Sequence, residues 1–101
     1  MKGNNFVIEM SLKSVPPEVY QELGKAEVDY TQVQMNEGKL TELLVTPDHR
    51  RYWMVWDVAD SGELDTRLRG FPLYDYFDYT VHEVMDMVEA SKVGMTDPAL
   101  D

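Results

Sequence analysis

Cysteine is absent from the 101-residue chain. That excludes disulfide frames, thiolate nucleophiles and cysteine-ligated metals. Basic residues are scarce: 9 Lys and Arg stand against 19 Asp and Glu, for a formal net charge of -10. Binding to a polyphosphate needs clustered cations, and a membrane-surface helix needs a basic face, so neither nucleic acid nor a membrane is an expected partner. No apolar run approaches the roughly 18 residues of a spanning helix. The opening MKGNNFVIEM lacks the apolar core and small-residue cleavage site of a signal peptide. The two histidines, His49 and His82, are far apart, with no HxH or HExxH spacing, and the carboxylates form no calcium-loop pattern. Gly-rich phosphate loops and the GxSxG elbow are missing as well. The expectation is a soluble cytoplasmic protein with no metal and no cofactor.

The residues that are present suit one globular domain over residues 1–85, followed by an arm at 86–101 where no period is clear. Hydrophobic residues make up 44% of the chain, a globular rather than disordered proportion. A first strand is predicted over about 5–13, with Phe6, Ile8, Met10 and Leu12 alternating on one face. Pro16 and Pro17 end it and suit the entry to a helix, whose first N–H groups are unpaired anyway. That helix runs to about residue 36. Its predicted apolar stripe is Val19, Leu23, Ala26, Tyr30 and Val33, with Gly38 as its stop. KLTELLV reads as a strand, TPDH as a turn, and RRYWMVWDV as a strand that is apolar on both faces. Asp60 and Glu63 have capping-box spacing. Leu64, Leu68 and Phe71 make the buried stripe of a second helix, with Arg67 and Arg69 in its last turn, where the helix dipole favours cations. A final strand covers about 77–85.

Strand, helix, strand, strand, helix, strand is the order of a ferredoxin-like α+β sandwich, with one antiparallel sheet and both helices on one face. In the third strand Tyr52, Met54, Trp56 and Val58 point one way, and Trp53 and Val55 the other. Only one of these sets can meet the helices. A second copy packed sheet to sheet would cover the other, giving a homodimer or higher homo-oligomer.

From Asp57 onward the chain resembles the muconolactone Δ-isomerase family, within the dimeric α/β-barrel superfamily. The resemblance rests on Asp57–Val58, Glu63–Leu64, Leu68, Pro72, an aromatic run to Tyr76, and Val81. GKLTELLV and FVIEMSLKSVP fit more loosely. It implies a small cofactor-independent isomerase that shifts a proton on an unsaturated lactone or a related small cyclic or aromatic metabolite. The wider superfamily resemblance implies an alternative, a cofactor-free monooxygenase or cyclase acting on aromatic polyketides; a hypothesis of another class is a non-catalytic ligand-binding or oligomer-forming module that keeps the fold without the chemistry. Muconolactone carries a free carboxylate, which implies a cation in its pocket. Strand one offers Glu9 there, and Asp75 stands where a proline is expected before Tyr76. A neutral lactone, quinone or phenol is therefore the expected substrate.

Two residues are candidate acid–base groups. His82 lies mid-strand, and imidazole is the natural proton carrier near neutral pH; it is equally a hydrogen-bonded histidine on an edge strand. Glu9 interrupts a strand expected to be central, where a desolvated carboxylate would be a usable base or would form an ion pair across a dimer. First and last strands are neighbours in this topology, so the two meet if register and face agree. Tyr52, Trp56, Phe71, Tyr74, Tyr76 and Tyr79 are candidates for the substrate-pocket wall, the tyrosines as donors to a developing enolate. Each equally suits a packing role. Asp57 reads as a brace before the second helix, and His49 as a surface turn residue.

Overall fold

The structure is a computed structural model, and it describes residues 4–85; the arm expected at 86–101 lies outside them. The elements are β1 (Asn4–Leu12), α1 (Pro17–Asn36), β2 (Leu40–Val45), β3 (Arg51–Val58), α2 (Ser61–Arg69), a single 3₁₀ turn at Tyr74–Tyr76, and β4 (Phe77–Val84). The four strands form one sheet in the order β2-β3-β1-β4, with every neighbouring pair antiparallel. This is the expected ferredoxin-like arrangement: β1 is central, β4 is an edge strand, and both helices lie on one face. No helix among the described residues is long and apolar enough to cross a membrane.

Local chemistry sets the element ends. Pro17 opens α1, where its missing N–H costs nothing. At the other end Gly38, with φ 75°, donates its amide to Met35 O at 3.0 Å, and Lys39 donates to Gln34 O at 3.1 Å. These two bonds make a Schellman closure, and they need a glycine at the left-handed position. The Asp60 carboxylate accepts the Glu63 amide at 2.8 Å, and the Glu63 carboxylate reaches back to the Ala59 amide at 2.8 Å. Between β2 and β3, His49 sits exposed in the turn at φ 61°.

The core is concentrated at one end of the sheet. Phe6, Ile8, Leu40, Trp56 and Val58 are buried with Leu64 and Leu68 of α2 and with Phe71, which follows it. Trp56 is fully buried, and its indole N–H finds no acceptor among the described residues. That orphan donor costs about 1–3 kcal/mol. A polar latch ties the helices together. Arg67 donates from Nε to Glu63 at 2.7 Å and from Nη1 to buried Gln34 at 2.6 Å and to Glu37 at 3.0 Å. The Tyr30 hydroxyl donates to Arg67 O at 2.6 Å.

The structure corrects the expected stripe of α1. Ala26 and Val33 are exposed, while Gly24, Glu27 and Thr31 are half-buried and Gln34 is buried. Tyr20, Gly24, Glu27, Thr31 and Gln34 keep the same four–three spacing as the apolar set, one residue further along, which is about 100° around the helix. Val19, Leu23 and Tyr30 of the expected set stay half-buried, and Tyr20 at the start of the rotated set is exposed, so the rotation is clearest in the second half of the helix. The rotation follows from what α1 faces. Gln34 must reach the Arg67 latch, and the middle of the helix roofs a cavity rather than a filled core.

Gly70 has φ -74°, so it is there for space rather than for conformation. A Cβ at this position would run into the ring and hydroxyl of Tyr30. Gly70→Ala is expected to lower stability by about 1–3 kcal/mol, as overpacking does, when measured by urea unfolding. In a Tyr30→Ala background the penalty should largely disappear. A Gly70→Ala protein as stable as the parent would refute this packing.

Candidate active site

A cavity of about 200 Å³ lies beneath α1, where the end of β1 meets the beginnings of β3 and β4. Met10, Leu12, Met54, Phe71, Leu73 and Phe77 form most of its floor and walls, with Leu43 and Val28 on the outer side. Gly24 opens its roof. Glycine inside a helix costs about 0.5–1 kcal/mol relative to alanine, and here the missing side chain leaves room in the cavity. The polar residues of the lining are Glu27, Thr31, Tyr20 and Tyr52; among the described residues no Lys, Arg or His belongs to it.

Glu27 is the notable member. It projects from the middle of α1 into an apolar lining, and one carboxylate oxygen accepts the Leu73 amide at 2.9 Å. No other hydrogen bond to this carboxylate is found among the described residues. Burial pushes its pKa up from the ordinary 4.5, against a smaller lowering by the Leu73 amide. A partly desolvated carboxylate of raised pKa with one uncommitted oxygen can both take and return a proton. The Tyr52 hydroxyl is also pushed up, first by burial and then by the nearby Tyr20 hydroxyl and Glu27 carboxylate. Glu27, Tyr52 and Tyr20 therefore converge electrostatically on one small volume: a base, and two hydroxyls able to donate to a developing oxyanion.

The residues expected from sequence fall into three places. Tyr52 and Phe71 line the cavity. Trp56 lies in the core beneath α2, edge-on to Phe71 at 6.1 Å. Tyr74 and Tyr79 share a hydroxyl–hydroxyl hydrogen bond of 3.1 Å, under the Arg69 guanidinium at 5.5 Å from the Tyr74 ring. That hydrogen bond, reinforced by burial, pushes Tyr79 up to about 12. Tyr76 is half-buried in the 3₁₀ turn, and neither it nor the Tyr74–Tyr79 pair reaches the cavity wall.

Glu9 and His82 do meet, but on the opposite face of the sheet. Glu9 pairs across with Thr80, so His82 is its diagonal neighbour on β4. His82 Nε2 lies 3.1 Å from the Glu9 carboxylate, with the side chains 47% and 44% exposed. Arg51 approaches the other Glu9 oxygen at 3.9 Å and stacks over Trp53 at 5.7 Å. Asp57 is half-buried, and its amide donates to Lys39 O at 2.8 Å.

Hydropathy periodicity passes over Glu27, a single charge inside a helix. A signal is nonetheless present: Glu27 stands four residues after Leu23 and three before Tyr30, two of the stripe members that remain half-buried. Among the described residues, no group of three or more His, Asp and Glu side chains is placed to hold a metal ion.

Burial of Glu27 has a pH signature. Its folded pKa lies above its unfolded value, so its contribution is fully present below about pH 4.5 and is lost as pH rises through the folded value. Glu27→Gln keeps an acceptor for the Leu73 amide and does not titrate. The stability of Glu27→Gln relative to the parent is therefore expected to rise from pH 4 to pH 8 in paired urea titrations. A pH-independent difference would show that the carboxylate is not desolvated.

Residues 5–87 match the muconolactone delta-isomerase family. Among solved structures, a crystal structure of muconolactone isomerase superposes with a TM-score of 0.74 at 22% identity, covering 92% of this chain and 96% of that one. At this identity the likeness establishes the fold. No curated protein sequence matches the chain. With the family matched along most of its length and the fold shared, the chain belongs to the muconolactone delta-isomerase family.

Proposed function

We propose that the protein is a cofactor-independent isomerase that moves a proton along a conjugated ring carbonyl, such as an unsaturated lactone, in the cavity beneath α1. The observation that carries this reading is the half-buried Glu27 carboxylate, tethered at one oxygen and free at the other within apolar walls. Its free oxygen removes a proton from a carbon activated by the carbonyl. The C–H electron pair moves into the conjugated system, and negative charge collects on the carbonyl oxygen. Tyr52, assisted by Tyr20, donates a hydrogen bond to that oxygen. The Glu27 carboxylic acid then returns the proton to a different carbon, and the double bond shifts. One C–H bond breaks and another forms, so no oxidant or reductant is required. The apolar walls of the cavity lower the local dielectric and strengthen each of these interactions.

The 3.1 Å contact between His82 and Glu9 favours a second reading, in which this pair transfers the proton. It requires the outer sheet face to be enclosed. That face carries Val7, Trp53 and Val55 half-buried, with Leu44 59% exposed, a poor surface to leave in water. A second copy packed sheet to sheet would cover it and surround Glu9, Arg51 and His82.

Two measurements test these proposals. Exchange of ring hydrogens in a simple unsaturated lactone, followed by NMR in deuterated water, should fall about 10²–10⁴-fold in Glu27→Gln and stay near the parent rate in His82→Ala. The reverse ranking would assign the chemistry to the outer face. Sedimentation at micromolar concentration should give a dimer or a multiple of it, and Trp53→Glu should release monomers. A parent protein that sediments as a monomer would remove the sheet-to-sheet assembly.

A further inference from the structure

Gly38 and Gly70 are required by the fold itself, the first by its φ of 75° and the second by the Tyr30 ring against it. Gly24 has neither requirement. It lies inside α1, where a Cβ would meet the Tyr20 ring at 3.6 Å, an ordinary van der Waals distance. Apart from proline, glycine is the residue least suited to a helix interior, because it loses the most backbone freedom on folding. Alanine would fit here and strengthen the helix. What the missing side chain provides instead is space in the cavity.

We infer that Gly24 is the size-determining residue of the site: its bare turn of α1 makes room for a substituent on the bound ring, and a side chain at this position excludes such ligands. This rests on the reading that the cavity beneath α1 takes the substrate, and it adds which position sets the size of molecule admitted.

The placement follows from helix geometry. Tyr20 stands one turn before Gly24 and Val28 one turn after it, and both line the cavity. Residues four apart share a helix face, so a side chain at position 24 would enter the same space. Leu43, Tyr52 and Met54 line that space from the sheet. An apolar cavity of roughly 150 Å³ takes up benzene, and this one measures about 200 Å³. The room beyond a bare ring is small, and a single methyl group projecting from α1 takes an appreciable share of it.

Phenol and para-propylphenol test this, because they differ only in a short alkyl chain. Their affinities are measured by titration calorimetry, and the ligand-free proteins are compared by urea unfolding. Gly24→Ala should unfold at a higher urea concentration than the parent. Its affinity for para-propylphenol should fall about tenfold or more, the worth of a methylene in an apolar pocket, while that for phenol changes less than about threefold. Ala26→Leu enlarges an exposed position of the same helix and should leave both affinities as they are. A ligand-free Gly24→Ala less stable than the parent would overturn the inference, because the fold itself would then need the glycine. Equal weakening of both phenols, weakening of neither, or a matching loss in Ala26→Leu would overturn it too. So would a parent protein that binds neither phenol at millimolar concentration. The acid–base reading fails separately. If Gly24→Ala changes the preference between the phenols but Glu27→Gln keeps full exchange activity, the size role stands and the catalytic assignment falls. If Glu27→Gln loses exchange but Gly24→Ala keeps the parent's preference, only the size role falls.

Discussion

The hydrogen bond from the Leu73 amide to the Glu27 carboxylate is the interaction on which the site depends. It spans the gap between α1 and the segment that leads from α2 into β4, two parts of the chain 46 residues apart in sequence. The bond satisfies a buried backbone donor and fixes one carboxylate oxygen, which leaves the other available. It also keeps α1 over the sheet at a place where few side chains fill the space beneath. Burial would ordinarily drive such a carboxylate to seek a cation. None of the described residues brings one to the cavity, and the result is a proton-accepting group whose affinity for protons is raised rather than lowered.

The two ends of the helix face are built differently, for related reasons. Beneath α2, Leu64, Leu68, Trp56 and Ile8 are buried to the point of leaving an indole N–H without an acceptor among the described residues. Beneath α1 the inward positions are Gly24, Glu27 and Thr31, which cannot fill the volume. Stability is concentrated at one end, and this lets the other end hold an open, partly polar cavity. The Arg67 latch joins the two regions, because Gln34 and Glu37 at the end of α1 bind the same guanidinium as Glu63 at the start of α2.

Much of this architecture is legible in the residues. Alternation in FVIEMSL and RRYWMVWDV places β1 and β3 correctly and shows that β3 has two apolar faces. Asp60 with Glu63, and Gly38, mark helix ends because their side-chain and backbone chemistry acts locally. The meeting of Glu9 and His82 requires only the strand order and a favourable register, and both hold. What the sequence does not reveal depends on three-dimensional context. The rotation of α1 by one residue follows from the reach of Gln34 to Arg67, a contact 33 residues apart in the chain. Glu27 looks like an ordinary solvated charge because periodicity ranks positions by hydropathy, and a carboxylate turned toward an apolar cavity violates that ranking. The aromatic run from Phe71 to Tyr79 reads as one wall. The 3₁₀ turn at Tyr74–Tyr76 divides it, so that Phe71 and Phe77 face the cavity while Tyr74 and Tyr79 bond to each other.

The central claim is that Glu27 is a desolvated carboxylate poised to exchange protons with a ring bound beside it. Carbon-13 NMR of the glutamate side chains, with Glu27 assigned by comparison with Glu27→Gln, measures this whatever the natural substrate is. The expected result is a Glu27 titration displaced above the ordinary glutamate value of 4.5, and displaced further when phenol occupies the cavity and removes the remaining water. A Glu27 that titrates together with the exposed glutamates, and does so unchanged in the presence of phenol, would contradict the account.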